Sequence, residues 1–130
     1  MFENLISRYN GRTIEDDGPY KSAEFEDFAK RLRKEMKRNY KVPKFTIGHY
    51  DVSGIIKNEN EGNDVFFSFS VPRGGFEPLD MRSTSAMAGI LIRKSTPKDP
   101  LGKHSHNQFT NFYNFEEDVN EILNGSEAWW

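Results

Sequence analysis

The sequence predicts an α+β domain: an antiparallel sheet of about three strands with helices packed on one face, in the order (α)-α-β-β-β-α. Two observations lead to it. Residues 23–40 repeat apolar side chains at three- and four-residue intervals, the signature of one buried helical stripe. DVFFSFSV, residues 64–71, alternates apolar and small polar side chains, as a half-buried strand does. No internal repeat or dividing linker interrupts the chain, so residues 1–130 are expected to form a single domain.

In chain order, FENLISRY (2–9) can place Phe2, Leu5, Ile6 and Tyr9 on one face of a short helix. Asn10-Gly11 and Gly18-Pro19 then signal turns. Ser22 is the expected N-cap of the long helix, whose inward positions are Phe25, Phe28, Ala29, Leu32, Met36 and Tyr40. Its acidic start and basic end suit the helix dipole, and Val42-Pro43 stops it. KFTIGHYDVSGIIK (44–57) reads as one strand whose phase shifts at Gly48-His49, which predicts a bulge there or burial on both faces. A polar turn containing Gly62 joins it to the 64–71 strand, forming a hairpin. Residues 72–87 show no periodicity, AGILIRKS supplies the third strand, and 96–109 reads as a second irregular loop. Asn114 with Glu117 resembles a capping box opening a last helix over 115–124, with Phe115, Val119, Ile122 and Leu123 inward and Gly125 at its end.

Composition narrows the functional classes. The chain has no cysteine, which excludes disulfides, thiolate metal sites and a cysteine nucleophile. No apolar run is long enough to span a bilayer, and the start lacks the apolar core of a secretory signal, so a cytoplasmic location without membrane contact is expected. The net charge of −2 conceals segregation. Residues 30–44 hold eight basic side chains against one acid, Glu35, whereas residues 115–130 hold five acids and no base.

Catalytic and metal motifs are weak. His104 and His106 are one residue apart and could face one metal in an extended segment, but Lys103 beside them opposes a cation and no neighbouring carboxylate is apparent. The ordinary reading is a solvated polar loop, and no cofactor or metal is expected. Ser83, Thr84 and Ser85 lack a nucleophile elbow, and Gly74-Gly75 lacks the lysine and helix start of a phosphate loop. Asp16 and Asp17 fit an ordinary turn. The chain is therefore read as a non-enzyme.

The basic helix face can meet phosphates. Helix, three strands, helix is also the element order of double-stranded-RNA-binding domains, but their basic contacts come mainly from the second helix, which is acidic here. The strand motif of an RRM is missing as well. A solvated amphipathic helix and docking on an acidic protein are the other readings of the same face.

IEDDGPY and ILIRKSTPKDPLGKHSHNQFTNFYNFEEDV resemble segments of small uncharacterised proteins of phages, plasmids and conjugative elements of low-GC Gram-positive bacteria. Where a Gly-Gly pair is expected in this group, the chain has Gly102-Lys103. The resemblance supplies no activity. It implies a setting in which small proteins antagonise host defence, anti-CRISPR proteins being the best-known class.

The expected function is therefore inhibition of a bacterial defence nuclease, above all a CRISPR effector, by binding the protein or its ribonucleoprotein as a monomer or dimer. Direct nucleic-acid binding through helix 30–41 is the alternative. Contact residues are expected on the two long loops, namely Arg73, Phe76, Arg82, Lys98, Lys103 and His104. Because these loops bracket one strand, their ends are expected close together. Arg33, Lys34, Lys37 and Arg38 form the competing surface.

Overall fold

The structure, a computed structural model, describes residues 1–9, 23–48, 51–60, 62–70, 90–105 and 107–125. Among the described residues three helices, α1 (Glu3–Tyr9), α2 (Ala23–Asn39) and α3 (Phe115–Leu123), accompany five strands. The strands are β1 (Lys41–Ile47), β2 (Asp51–Lys57), β3 (Asp64–Ser70), β4 (Ile90–Ser95) and β5 (Gln108–Thr110). They form one antiparallel sheet in chain order, β1-β2-β3-β4-β5.

The sheet thus has five strands where the sequence predicts about three, and both additions have local causes. The phase shift at Gly48-His49 is a reversal of the chain rather than a bulge. The Gly48 N–H donates to the Asp51 carbonyl at 2.8 Å, and Ile47 then pairs with Val52. A Cβ at Gly48 would stand 2.1 Å from Asp51 Oδ1, so a side chain there would push the Asp51 carboxylate aside. β5 lies in and just beyond the stretch read as irregular: Phe109 pairs with Leu91 and Thr110 with Ile90. Three residues alternate too briefly to announce a strand.

Register assigns the two sheet faces. Paired residues point the same way, so Phe45, Gly54, Phe67 and Ile92 share one face with Ile47, Val52, Phe69 and Ile90. The helices cover that face. Phe25, Phe28, Ala29, Leu32 and Met36 are buried from α2, and Phe115, Val119 and Ile122 from α3, all in one core with Val52, Ile56, Val65, Phe67 and Phe69. The predicted stripe of α2 is the observed one, with Tyr40 half-buried at its end.

Aromatic rings concentrate at the centre. Phe2 meets Phe69, Phe112 and Phe115 edge-on at centroid separations of 6.3, 5.2 and 5.5 Å. Phe69 also touches Phe67, Phe112 and Phe115 at 5.8, 5.5 and 5.4 Å. To reach this cluster Phe2 adopts a left-handed backbone with φ 64°, a strain that its buried ring offsets. α1 is held to α2 through Asp27. Tyr9 Oη donates to Asp27 Oδ2, and Arg8 and Arg31 each place Nε 3.0 Å from the same oxygen. These donors, the tyrosine hydroxyl first, hold the Asp27 carboxyl below its ordinary pKa.

The start of α3 differs from the expected capping box. Asn114 has a helical backbone and makes no side-chain cap bond. Instead Asn111 Oδ1 accepts from the Asn114 N–H at 2.7 Å, and Thr110 Oγ1 donates to Asp118 Oδ2 at 2.5 Å. The cap has moved upstream to buried Asn111, while buried Thr110 ties the first-turn carboxylate of Asp118 to β5. Ser22, the expected cap of α2, lies outside the described residues.

Candidate functional site

Three surfaces carry the chemistry. The first is a basic ridge. Lys30, Arg31, Arg33, Lys34, Lys37 and Arg38 are all exposed along α2, and only Tyr40 separates the helix from β1, where Lys41 and Lys44 continue the exposed series. Amphipathicity places them there: the apolar stripe turns inward and the remaining positions face water. Arg31 is engaged by Asp27, and Arg38 approaches Glu35 at 3.5 Å. Among the described residues, Lys30, Lys34, Lys37, Lys41 and Lys44 have no carboxylate within ion-pair distance. The Arg33 guanidinium lies 6.0 Å from the Phe45 ring, which orients it across the helix–strand junction. Opposite in charge, α3 exposes Glu116, Glu117 and Glu121 beside Tyr113, which is 56% exposed.

The second surface is the β4–β5 connection, which is ordered by a carboxylate. Asp99 Oδ1 accepts from the Lys103 N–H at 3.0 Å and Asp99 Oδ2 from the His104 N–H at 2.9 Å. Thr96 and Asp99 exchange backbone bonds, Gly102 N–H donates to the Asp99 carbonyl, and Ser95 Oγ donates to the Pro100 carbonyl. Gly102 has φ 64°, and a Cβ there would lie 2.6 Å from both Arg93 Cβ and the Lys94 carbonyl, so this turn requires glycine. A carboxylate does stand beside His104, contrary to the sequence reading, because the turn brings Asp99 back by five residues. Its two oxygens are spent on backbone donors, which describes a loop clamp. His106 and His49 lie outside the described residues, and among the described residues no group of three metal-ligating side chains is found.

The N–H donors, His104 first, depress the Asp99 pKa. A depressed carboxylate contributes stability that is present above its unfolded pKa of about 3.9 and is lost as pH falls through the folded value. Asp99→Asn is therefore expected to lower the thermal midpoint at pH 7, with the gap from wild type closing as pH falls through the depressed folded pKa. The Lys103 and His104 amide shifts should titrate in the wild type with a midpoint under 3.9. A pH-independent gap would remove the clamp.

Lys98, Lys103 and His104 are exposed on this connection, as a contact surface needs. Arg73, Phe76 and Arg82 lie outside the described residues. The two long loops do not begin close together. Phe69 pairs with Ile90 and Asp64 with Ser95, so the first loop departs from one end of β4 and the second from the other. Antiparallel pairing forces this, since a strand's successive connections leave from opposite ends.

Comparison with protein-family models, with curated proteins and with solved structures finds no match.

The third surface was not signalled by any motif. The sheet face away from the helices carries Lys44, Ile55, Phe66 and Arg93 in one cross-strand row. A second row holds Thr46, Ser53, Ser68, Leu91 and Phe109. Phe109 is 45% exposed, and the Arg93 guanidinium sits 5.8 Å from the Phe66 ring. Arg93 is oriented by Asn107 Oδ1, which accepts from its Nε at 2.7 Å. The alternation of β3 could have located this face, but only pairing across five strands gathers its residues.

A polar cleft of about 520 Å³ lies between the β2–β3 turn and the end of α3, lined by Tyr40, Lys41, Lys57, Asn60 and Asn120 among others. The Tyr40 hydroxyl is buried without a hydrogen-bond partner among the described residues, and burial raises its pKa, keeping it protonated. Among the described residues no helix is long and apolar enough to cross a membrane.

Proposed function

We propose that this chain is a non-enzymatic binding protein of a phage or mobile element that inhibits a bacterial defence nuclease, with a CRISPR effector as the target class. The observation that carries the reading is the basic ridge: exposed cations on α2 and β1, most of them without an ion-pair partner among the described residues. Cations already neutralised within a protein add little to association, whereas free ones steer an encounter with an acidic partner and speed it. The resemblance to mobile-element proteins supplies the setting. The ridge is the primary contact and Lys98, Lys103 and His104 a secondary one.

Expression of the chain in cells carrying representative CRISPR types should restore plasmid or phage survival in at least one. Lys34→Glu, Lys37→Glu and Arg38→Glu together should reduce that protection by more than tenfold, a loss of about 1.4 kcal/mol or more in binding. Lys98→Ala with Lys103→Ala should reduce it less. Full interference in every type tested sinks the proposal.

A second reading, direct binding of nucleic acid, is favoured by the continuation of the ridge onto Lys41 and Lys44, which lengthens the track available to phosphates. Gel shifts over a salt series separate the two. Binding through about five phosphates gives a log K against log salt slope of roughly −4 to −5 on duplex DNA, and an unshifted band at low salt removes this reading.

A further inference from the structure

We infer that the sheet face left uncovered among the described residues is a binding platform for single-stranded nucleic acid, distinct from the α2 cations of the ridge, which it meets at Lys44, and independent of the proposed inhibitory role. Phe66 and Phe109 both point to this face. They lie two strands and two residues apart, which places their Cα atoms about 12 Å from one another on strand spacings of about 4.8 Å and 3.3 Å. Between them stand Leu91 and Arg93. Flat rings held on a rigid sheet give unpaired bases a stacking surface, and each base has a π-face to offer.

Charge selects the occupant. Lys44 and Arg93 lie within the same face, and Thr46, Ser53 and Ser68 add hydroxyls that can donate to phosphate or base edges. The carboxylates on this face stand at its ends: Asp51 opposite Ser70, and Asp64 opposite Ser95, the latter bridged to Lys57 at 3.3 Å. Neither central row contains an acid, and both cations, Lys44 and Arg93, stand in the first. A protein helix would want a continuous apolar patch. Here the apolar side chains Ile55, Phe66, Leu91 and Phe109 are interleaved with hydroxyls and cations. An extended strand with alternating bases and phosphates matches that pattern, whereas a duplex keeps its bases stacked inside and presents nothing to the rings.

The test is fluorescence anisotropy of labelled ten-nucleotide single-stranded DNA and RNA, and of a duplex, against the whole chain at low and moderate salt. Single strands should bind more tightly than duplex. Phe109→Ala should weaken single-strand binding between about fivefold and a hundredfold, and Phe109→Tyr should restore it. Ser68→Glu, which sets a carboxylate mid-face without removing core, should weaken it as well; unchanged circular dichroism and melting confirm folding of each variant. Reversal of Lys34, Lys37 and Arg38 should leave the ratio between wild type and Phe109→Ala unchanged, which separates this site from the ridge. Equal binding by wild type and Phe109→Ala overturns the inference, as does duplex binding equal to single-strand binding. Self-association in sedimentation that Phe109→Ala abolishes would assign the face to a second copy of the chain and overturn it too.

Discussion

Phe69→Ala is expected to cost about 3–5 kcal/mol, the range for removing a large aromatic side chain from a packed core. Phe69 is 2% exposed, and its ring meets Phe2, Phe67, Phe112 and Phe115, which come from the residue before α1, from β3 itself and from the segment and helix after β5. Truncation there leaves a void that rings from separate elements cannot close by small shifts. Domains of ordinary stability have only about 5–15 kcal/mol in total, so the variant should unfold partly on mild warming. Urea denaturation is the measurement: the midpoint should fall sharply while the slope stays constant. Phe109→Ala, on the open face, should stay within about 0.5 kcal/mol of wild type in the same experiment. A loss at Phe69 below about 1 kcal/mol would mean that the ring cluster is not the centre of the core.

Gly54→Val is expected to be comparably damaging for the opposite reason. Gly54 sits in the middle of β2, buried, opposite Phe45 on one side and Phe67 on the other. A Cβ there would lie 2.2 Å from the Lys44 carbonyl oxygen and 2.7 Å from Phe67 Cζ. Phe67 is fully buried and cannot swing away, and the carbonyl is backbone. Strand propensity favours valine over glycine, so propensity alone predicts stabilisation. Overpacking of this kind costs about 1–3 kcal/mol, and more where backbone must move. The same urea series decides which effect wins. An increase in the midpoint would show that β1 can withdraw from β2 at little cost.

These two positions mark where the sequence was readable. α2 and β3 are plain in it because each has a long single-period pattern: seventeen residues for the helix and seven for the strand. The β1–β2 reversal was not, since GHYD contains none of the dipeptides that mark tight hairpins and the flanking strands have similar composition. β5 depends on pairing with β4, and α3 is capped by Asn111 rather than by the residue that opens the helix, neither of which the local pattern encodes. The ridge was legible because charge and helical period together place it. The clamp by Asp99 and the open face were not, because one arises from a turn closing on itself and the other from register across the whole sheet.

The margins of the sheet carry a further consequence. On one side β1 slips register between Lys41 and Lys44 around the exposed Pro43, which has no N–H to give; on the other β5 is only three residues long. Each margin is a short template for a foreign strand: four regularly paired residues, Lys44–Ile47, on one side and three on the other. Recognition of the kind proposed above then falls mainly to side chains standing on the scaffold. Such a protein can change what it recognises by single substitutions on its surfaces, leaving the core untouched. Its specificity and its foldability can therefore evolve on separate residues.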